Sequence, residues 1–137
     1  MTNQLWINLP VKDLEKSKKF FSELGFSFNT EHGNSPVSAS LVIGKNVVML
    51  FDENSFKGFT KTAITDTGKT NEILISMDAE SKEEVDALAK KVSNAGGTIY
   101  SEPGEKDGWM YGFGFADPDG HRWNVLYMDM SKMPNHN

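Results

Sequence analysis

The sequence predicts an α+β protein built from two tandem βαβββ modules, whose helices lie outside a cupped mixed sheet. The first observation behind this prediction is that strand-like and helix-like segments follow the same order in both halves of the 137-residue chain. The second is that each half ends in two apolar runs around a glycine-containing turn, the pattern of a β-hairpin. Module one is predicted over about 4–52 and module two over about 72–130.

The composition is that of a single ordinary globular domain, predicted over 1–130 and followed by a polar tail, 131–137. The net charge is −5 and no basic patch is visible, so nucleic acid is not an expected partner. No apolar run approaches the roughly 18 residues of a membrane span. Cysteine is absent, which excludes thiolate chemistry and fits a reducing compartment, so we predict a cytoplasmic protein.

In module one, a helix is predicted between the first two strands. Asp13 is a suitable N-cap, apolar residues such as Phe20 recur at helical spacing, and Gly25 ends the segment. The strands are predicted over 4–11, 26–30, 38–43 and 46–51, the last two forming a hairpin around Gly44-Lys45.

Module two follows a polar linker over 53–71, in which Phe56 and Phe59 indicate one short amphipathic turn. A capping box begins its helix at Ser81, because a serine and a glutamate three residues later satisfy each other's backbone N–H groups. The sequence Asp117-Pro118-Asp119-Gly120 predicts a tight turn. The strands are predicted over 72–78, 98–101, 110–116 and 123–128, with a charged loop over 102–108.

Alternation along the strands places a set of candidate ligand-binding side chains on one face. Core packing is the alternative for Trp6 and Met49, and solvent exposure is the alternative for Glu72. The predicted cleft residues are Trp6, Asn8, Met49, Phe51, Glu72, Leu74, Asn124 and Leu126. Trp109 and Tyr111 follow the charged loop and are predicted either to stack on a flat ligand or to pack within the hairpin. His121, beside the tight turn, is expected to be structural.

Three segments resemble the vicinal oxygen chelate superfamily, which contains glyoxalase I, bleomycin-resistance proteins and extradiol dioxygenases. They are Leu9 to Ser17, Phe20 to Phe26 and Phe115 to His121. The resemblance extends over the chain up to about Met130. It implies paired modules that form an open, cupped sheet, which is usually completed in a homodimer.

In metal-dependent members of that superfamily, the ligands come from particular strand positions. The resemblance carries these positions onto Trp6, Met49, Glu72 and Asn124. Only the carboxylate is a good ligand, because an indole and a thioether do not bind hard or borderline divalent ions and an amide is a weak donor. We therefore expect no cofactor; any metal that did bind would be held by Glu72 and Asn124.

The predicted function is the binding or sequestration of a small organic molecule in a metal-free cleft. A carboxylate at Glu72 would favour a cationic, aromatic ligand. The alternative is a lyase, isomerase or dioxygenase of the same superfamily that uses Glu72 as a base or metal ligand. A collapsed cleft without a ligand is a third hypothesis, and the sequence leaves all three open.

Overall fold

The computed structural model describes residues 1–134 and confirms the two βαβββ modules. Module one consists of β1 (Ile7–Val11), α1 (Leu14–Glu23), β2 (Ser27–Phe28), β3 (Ser38–Ile43) and β4 (Asn46–Asp52). A further helix, α2 (Glu53–Thr60), leads away from it. Module two consists of β5 (Leu74–Asp78), α3 (Lys82–Asn94), β6 (Thr98–Lys106), β7 (Met110–Ala116) and β8 (Arg122–Met128). A 3-10 turn, Met130–Lys132, follows, and the last three residues of the predicted tail lie outside the described residues.

The two modules form mixed four-stranded sheets of the same topology. The strand orders are β1-β4-β3-β2 and β5-β8-β7-β6. In each sheet the first strand pairs in parallel with the last, and the remaining pairs are antiparallel. Among residues 1–134, none of the helices has the length and apolar character needed to cross a bilayer.

One face of each sheet packs against the helices, and the two modules share this core. Phe20 and Phe21 of α1 lie 6.1 and 5.3 Å, ring to ring, from Phe115 and Trp123 of module two. All four side chains are at most 2% exposed. Full burial of an aromatic side chain contributes about 1.5–3 kcal/mol, so these contacts hold the modules together. The opposite face of each sheet points away from the core, and we call it the open face.

Both long helices begin at the predicted caps. The Asp13 carboxylate accepts a hydrogen bond from the Lys16 backbone N–H at 3.1 Å. The Ser81 hydroxyl accepts one from the N–H of Glu84, also at 3.1 Å. Gly25 follows α1 with a φ of +99°, a left-handed conformation that a residue with a Cβ adopts only under strain.

Several boundaries differ from the predictions. The predicted amphipathic turn is a helix of eight residues, α2, capped by the Asp52 carboxylate at 2.9 Å from the N–H of Ser55. β6 continues through most of the predicted loop to Lys106, since an edge strand with register shifts tolerates Pro103. β1 starts only at Ile7, whose partner Val48 lies two residues beyond the start of β4. β2 is limited to Ser27–Phe28.

The Asp-Pro-Asp-Gly turn joins the modules. The buried Asp117 carboxylate accepts hydrogen bonds from the N–H groups of Asp119 and His121 and from the Trp123 indole, at 3.0, 3.1 and 3.0 Å. Burial raises the pKa of Asp117. The Asp119 carboxylate accepts from the Lys12 N–H, 2.8 Å away, where β1 gives way to α1. The turn therefore packs against module one, and His121 has the structural role that was expected of it.

Candidate functional site

The open face of module one carries a cavity of about 580 Å³. Trp6, Met49 and Phe51 line it together with the N-terminal segment 3–5 and the start of β4. The Trp6 side chain is 55% exposed, because it precedes β1 and lies outside the sheet. Three predicted cleft residues therefore share one cavity, whose lining is apolar at these positions and polar at Asn3, Gln4, Lys45 and Asn46.

Two segments cover parts of this face. The Phe59 ring of α2 lies edge-on to Phe51 with 5.0 Å between ring centroids. On the other side, Gly33 has a φ of +72°, and a Cβ built on it would lie 3.0 Å from the terminal methyl of Met49. The loop can approach the thioether this closely only because residue 33 has no side chain. These contacts place α2 and the loop before β3 against two of the residues that line the cavity.

A second cavity, of about 610 Å³, lies where the modules meet, and we call it the junction cavity. It includes Asn8 of β1, Leu74 of β5 and Phe56 of α2. Glu72 also lines it, but this residue lies in a bend two positions before β5 and is exposed. The prediction that Glu72 is a strand residue is therefore wrong. The reason is that the ladder with β8 begins at the pair formed by Leu74 and Arg122.

The open face of module two carries the remaining cleft residues. Asn124 lies opposite Ser76, and its amide donates to the serine hydroxyl over a long 3.4 Å. Leu126 lies against Gly112, where an added Cβ would be 2.6 Å from a leucine methyl. Neither Asn124 nor Leu126 lines the two cavities described above. The predicted cleft is therefore distributed over separate surfaces within one chain.

Trp109 and Tyr111 lie away from these surfaces. The Tyr111 hydroxyl donates to the Asp86 carboxylate of α3 at 2.7 Å, so the ring is on the helix side of the sheet. This hydrogen bond is the main cause that raises the pKa of Tyr111. The Trp109 carbonyl accepts from the N–H of Asp129 at 2.7 Å, next to the turn before β7. The Tyr111 side chain therefore contacts α3, and neither Trp109 nor Tyr111 lines the two cavities described above.

An aromatic residue absent from the predicted site crosses the open face of module two. The Tyr100 hydroxyl donates to the Trp123 carbonyl at 3.1 Å. Its ring passes over Gly114, where a Cβ would lie 2.5 Å from a ring carbon. The guanidinium of Arg122 lies over the same ring, 4.3 Å from its centroid.

Comparison with known proteins agrees with this architecture. The sequence profile of the Glyoxalase/Bleomycin resistance protein/Dioxygenase superfamily matches residues 3–125. The chain belongs to this superfamily. A hypothetical protein from S. aureus has a similar structure, with 36% identity, a TM-score of 0.84 and coverage of 93% of this chain and 95% of that one.

More distant members of the superfamily share the fold. A glyoxalase-related enzyme from Fulvimarina pelagi is 20% identical, with a TM-score of 0.80 and coverage of 93% of this chain and 88% of that one. The genomically encoded fosfomycin resistance protein FosX from Listeria monocytogenes is 18% identical, with a TM-score of 0.72 and coverage of 96% and 98%. A search of curated proteins found no match.

The residues at the superfamily's metal positions do not suit a divalent ion. Trp6 and Met49 supply an indole and a thioether, and Asn124 supplies only a neutral amide oxygen, which is a weak donor. Glu72 lines a different cavity from the first two residues. Within residues 1–134, no three His, Asp or Glu side chains are grouped closely enough to hold a metal. No step of a metal-dependent reaction is therefore assigned to these positions.

Two features of the site were absent from the sequence predictions. Arg122 precedes the buried Trp123 and therefore has the parity of Asn124, so alternation alone could have placed it on the open face. Tyr100 follows Ile99, which packs against the core as the partner of Phe115, so alternation places Tyr100 on the open face as well. Alternation could not predict its contact with Gly114, because a register shift lies between Ile99 and Ser101.

Proposed function

We propose that this protein binds a small organic molecule on the open faces of its sheets without using a metal. The observation that carries the proposal is the exposure of large apolar side chains on or beside both open faces. Trp6 is 55% exposed, Leu74 54%, Met128 41% and Tyr100 38%, while the helix side of both sheets is closely packed. Trp6 adjoins Met49 and Phe51 in one cavity, and contiguous exposed apolar surface of this kind is characteristic of sites that bind ligands or partners.

In this proposal the working unit is a homodimer in the cytoplasm. The two open faces point away from one shared core, so neither can close over the other within a chain. A second copy would place module two of one chain opposite module one of its partner. That arrangement would bring Trp6 and Met49 together with Asn124 and Leu126, which one chain keeps apart.

The lining defines what such a cleft can hold. Methionine and aromatic side chains form an adaptable surface for flat apolar groups. Glu72 adds one negative charge beside the junction cavity, which favours a cationic substituent on the ligand. A lyase or dioxygenase that used Glu72 as its base would require a desolvated carboxylate, and this residue is exposed.

Binding can be tested through the fluorescence of Trp6 with a panel of neutral, cationic and anionic benzene derivatives. Members that bind should quench the emission, and Trp6→Phe should remove that change while Trp109→Phe, at the hairpin turn, should retain it. Glu72→Gln should weaken the binding of the cationic benzene derivatives and leave the unfolding transition of the protein unchanged. The proposal would be refuted if no compound of the panel bound, or if Trp6→Phe and Trp109→Phe lost the ligand-induced change in fluorescence to the same extent.

The dimer is tested separately by light scattering at micromolar concentration. We expect about twice the mass of one chain, because stable interfaces of ordinary size persist in that range. A monomer would refute the shared cleft.

A further inference from the structure

We propose that the open face of module two holds an oxyanion site in which Arg122, positioned by Tyr100, receives the acidic group of an organic ligand. The inference rests on the proposed function and deepens it by naming a second charged group of the ligand, an acidic group in addition to the cationic substituent that Glu72 favours. The acidic group is a carboxylate, phosphonate or phosphate, since all three present oxygen atoms that match the guanidinium fork.

The position of the guanidinium is determined by its surroundings. Arg122 alternates with the fully buried Trp123, which places its side chain on the open face. The guanidinium carbon lies 4.3 Å from the centroid of the Tyr100 ring, within the range of an attractive cation–π contact. The ring is itself held by its hydroxyl, which donates to the Trp123 carbonyl at 3.1 Å.

A glycine makes this arrangement possible. The Tyr100 ring crosses β7 at Gly114, and a Cβ at that position would lie 2.5 Å from the ring. Gly114 and the next open-face position, Gly112, therefore leave the middle of β7 without side chains. The phenol remains a neutral hydrogen-bond donor at physiological pH, since burial raises the pKa of Tyr100.

Apart from its contact with the Tyr100 ring, the guanidinium of Arg122 has no charged partner among residues 1–134. Arg122 is the only arginine in a chain that has 19 acidic residues. Even so, no ion pair within 4.0 Å and no side-chain hydrogen bond involves its guanidinium among residues 1–134. A cation that is stacked on an aromatic ring and has free N–H groups at its edge is prepared to bind an external anion.

Arg122 lines a cavity of about 580 Å³ together with Glu53, Asp66 and Asp119, but none of these carboxylates lies within 4.0 Å of its guanidinium. Along β8 and β5 its neighbours are apolar or uncharged. Leu74 is its partner in the ladder with β5, and 54% of this leucine is exposed. The next pair along the same strands is Asn124 and Ser76, whose long mutual hydrogen bond leaves the amide oxygen and the hydroxyl proton free for a ligand. The guanidinium leans towards Tyr100 across β7, so the proposed ligand places its oxyanion on Arg122 and its apolar part over β7 near Gly112, where the strand has no side chain.

The test uses the fact that one arginine gives a single guanidinium Nε–H signal in a 15N-labelled sample. Benzoate and phenylphosphonate are titrated against the neutral analogue benzamide, the cation benzylamine and inorganic phosphate. We expect the two organic anions to shift the Arg122 Nε–H signal and to bind roughly tenfold more tightly than benzamide, as charge-assisted hydrogen bonds of this kind imply. Inorganic phosphate should bind more weakly than phenylphosphonate, because it has no apolar body.

Three variants identify the residue responsible. Arg122→Gln should weaken benzoate binding roughly tenfold, and Arg122→Lys should restore only part of it, because an ammonium lacks the planar fork. Lys90→Gln changes the net charge by the same amount on the exposed surface of α3 and should have no effect. Tyr100→Phe should give an intermediate loss, since the ring remains but its hydrogen bond to the Trp123 carbonyl is removed.

The possible failures are distinguishable. The inference would be overturned by any of three results. Benzoate and benzamide could bind with equal affinity, Arg122→Gln and Lys90→Gln could have equal effects on benzoate binding, or phosphate and phenylphosphonate could bind with equal affinity. In those cases binding of benzamide near Trp6 would leave the proposed function intact. If none of the probes bound at about 10 mM, where even weak ligands are detected, both proposals would be wrong.

Discussion

The imidazole of His121, which precedes β8, donates a hydrogen bond from Nε2 to the carbonyl oxygen of Pro10 in β1, 2.6 Å away. The two residues are 111 positions apart in the chain. The backbone N–H of His121 also donates to the buried Asp117 carboxylate, so His121 connects the tight turn to the first strand. The two sheets have no strand in common, so the hydrogen bond to Pro10 is one of the contacts that link the modules.

His121→Ala should lower the free energy of unfolding by about 2–4 kcal/mol. The reason is that the imidazole is only 4% exposed, so its removal leaves both a cavity and an unpaired carbonyl. Urea denaturation measures the change. His32→Ala, in the exposed loop before β3, serves as the matched control and should change the free energy by less than about 0.5 kcal/mol. Equal losses in the two variants would show that the contact with Pro10 contributes nothing.

Gly114→Ala should lower the free energy of unfolding by about 1–3 kcal/mol, because its methyl group would overlap the Tyr100 ring. Gly58→Ala is the control, since this glycine lies in exposed α2 with nothing within 4 Å of an added Cβ. That variant should increase stability by up to about 1 kcal/mol through helix propensity. Thermal unfolding of the two variants measures the expected loss and the expected gain in stability. If Gly114→Ala left the stability unchanged, the Tyr100 ring would be free to move away from the added methyl group.

The fold was largely predictable because local signals agreed with tertiary packing. Asp13 and Ser81 cap helices as their sequence contexts indicated. The Asp-Pro-Asp-Gly turn joins the two predicted strands, of which only the second differs, starting one residue earlier at Arg122. The errors occurred where a distant partner decides the structure. β1 begins where β4 provides a neighbour, and Glu102–Lys106 forms an edge strand because β7 lies beside it.

The candidate site was predictable only in part. Strand parity placed Met49, Phe51 and Asn124 on open faces, since that rule needs no tertiary information. It failed for Glu72, which lies before the start of its strand, and for Tyr111, which shares the parity of the buried Phe113 and Phe115. The glycines at 112 and 114 mark the other face of β7 and could have corrected the assignment of Tyr111.

Acidification should weaken the cap of α2. The hydrogen bonds from Ser55, with the side-chain contribution the largest, lower the pKa of Asp52 below its value in the unfolded chain. Such a group contributes stability above the unfolded pKa, about 3.9, and loses it as the pH falls through the folded pKa. Asp52→Asn retains a capping side chain but cannot titrate. Below about pH 4, the free energy of unfolding of the wild type should therefore fall relative to that of Asp52→Asn.

A carboxyl-carbon NMR titration checks the same point directly. It should give a pKa for Asp52 below that of the unfolded chain. A value at or above the unfolded one would show that the carboxylate does not cap the helix in solution.

Removal of metal should have no effect. Protein purified without chelator should unfold at the same temperature before and after treatment with millimolar EDTA, because Trp6, Met49 and Asn124 are poor ligands. Elemental analysis of the same sample should find no stoichiometric divalent metal. A fall in the melting temperature that zinc or nickel reverses would require a ligand set different from the one described above.

The most direct test of the central claim is the NMR spectrum of protein labelled at its methionine methyl groups. Met49 lies on the open face of module one and Met128 on that of module two, whereas Met77 packs against the core from the helix side of its sheet. Titration with the tightest-binding benzene derivative should shift Met49 and Met128 with one common dissociation constant and leave Met77 unchanged. A ligand that binds while Met49 and Met128 keep their positions would contradict the claim that the open faces form the binding site.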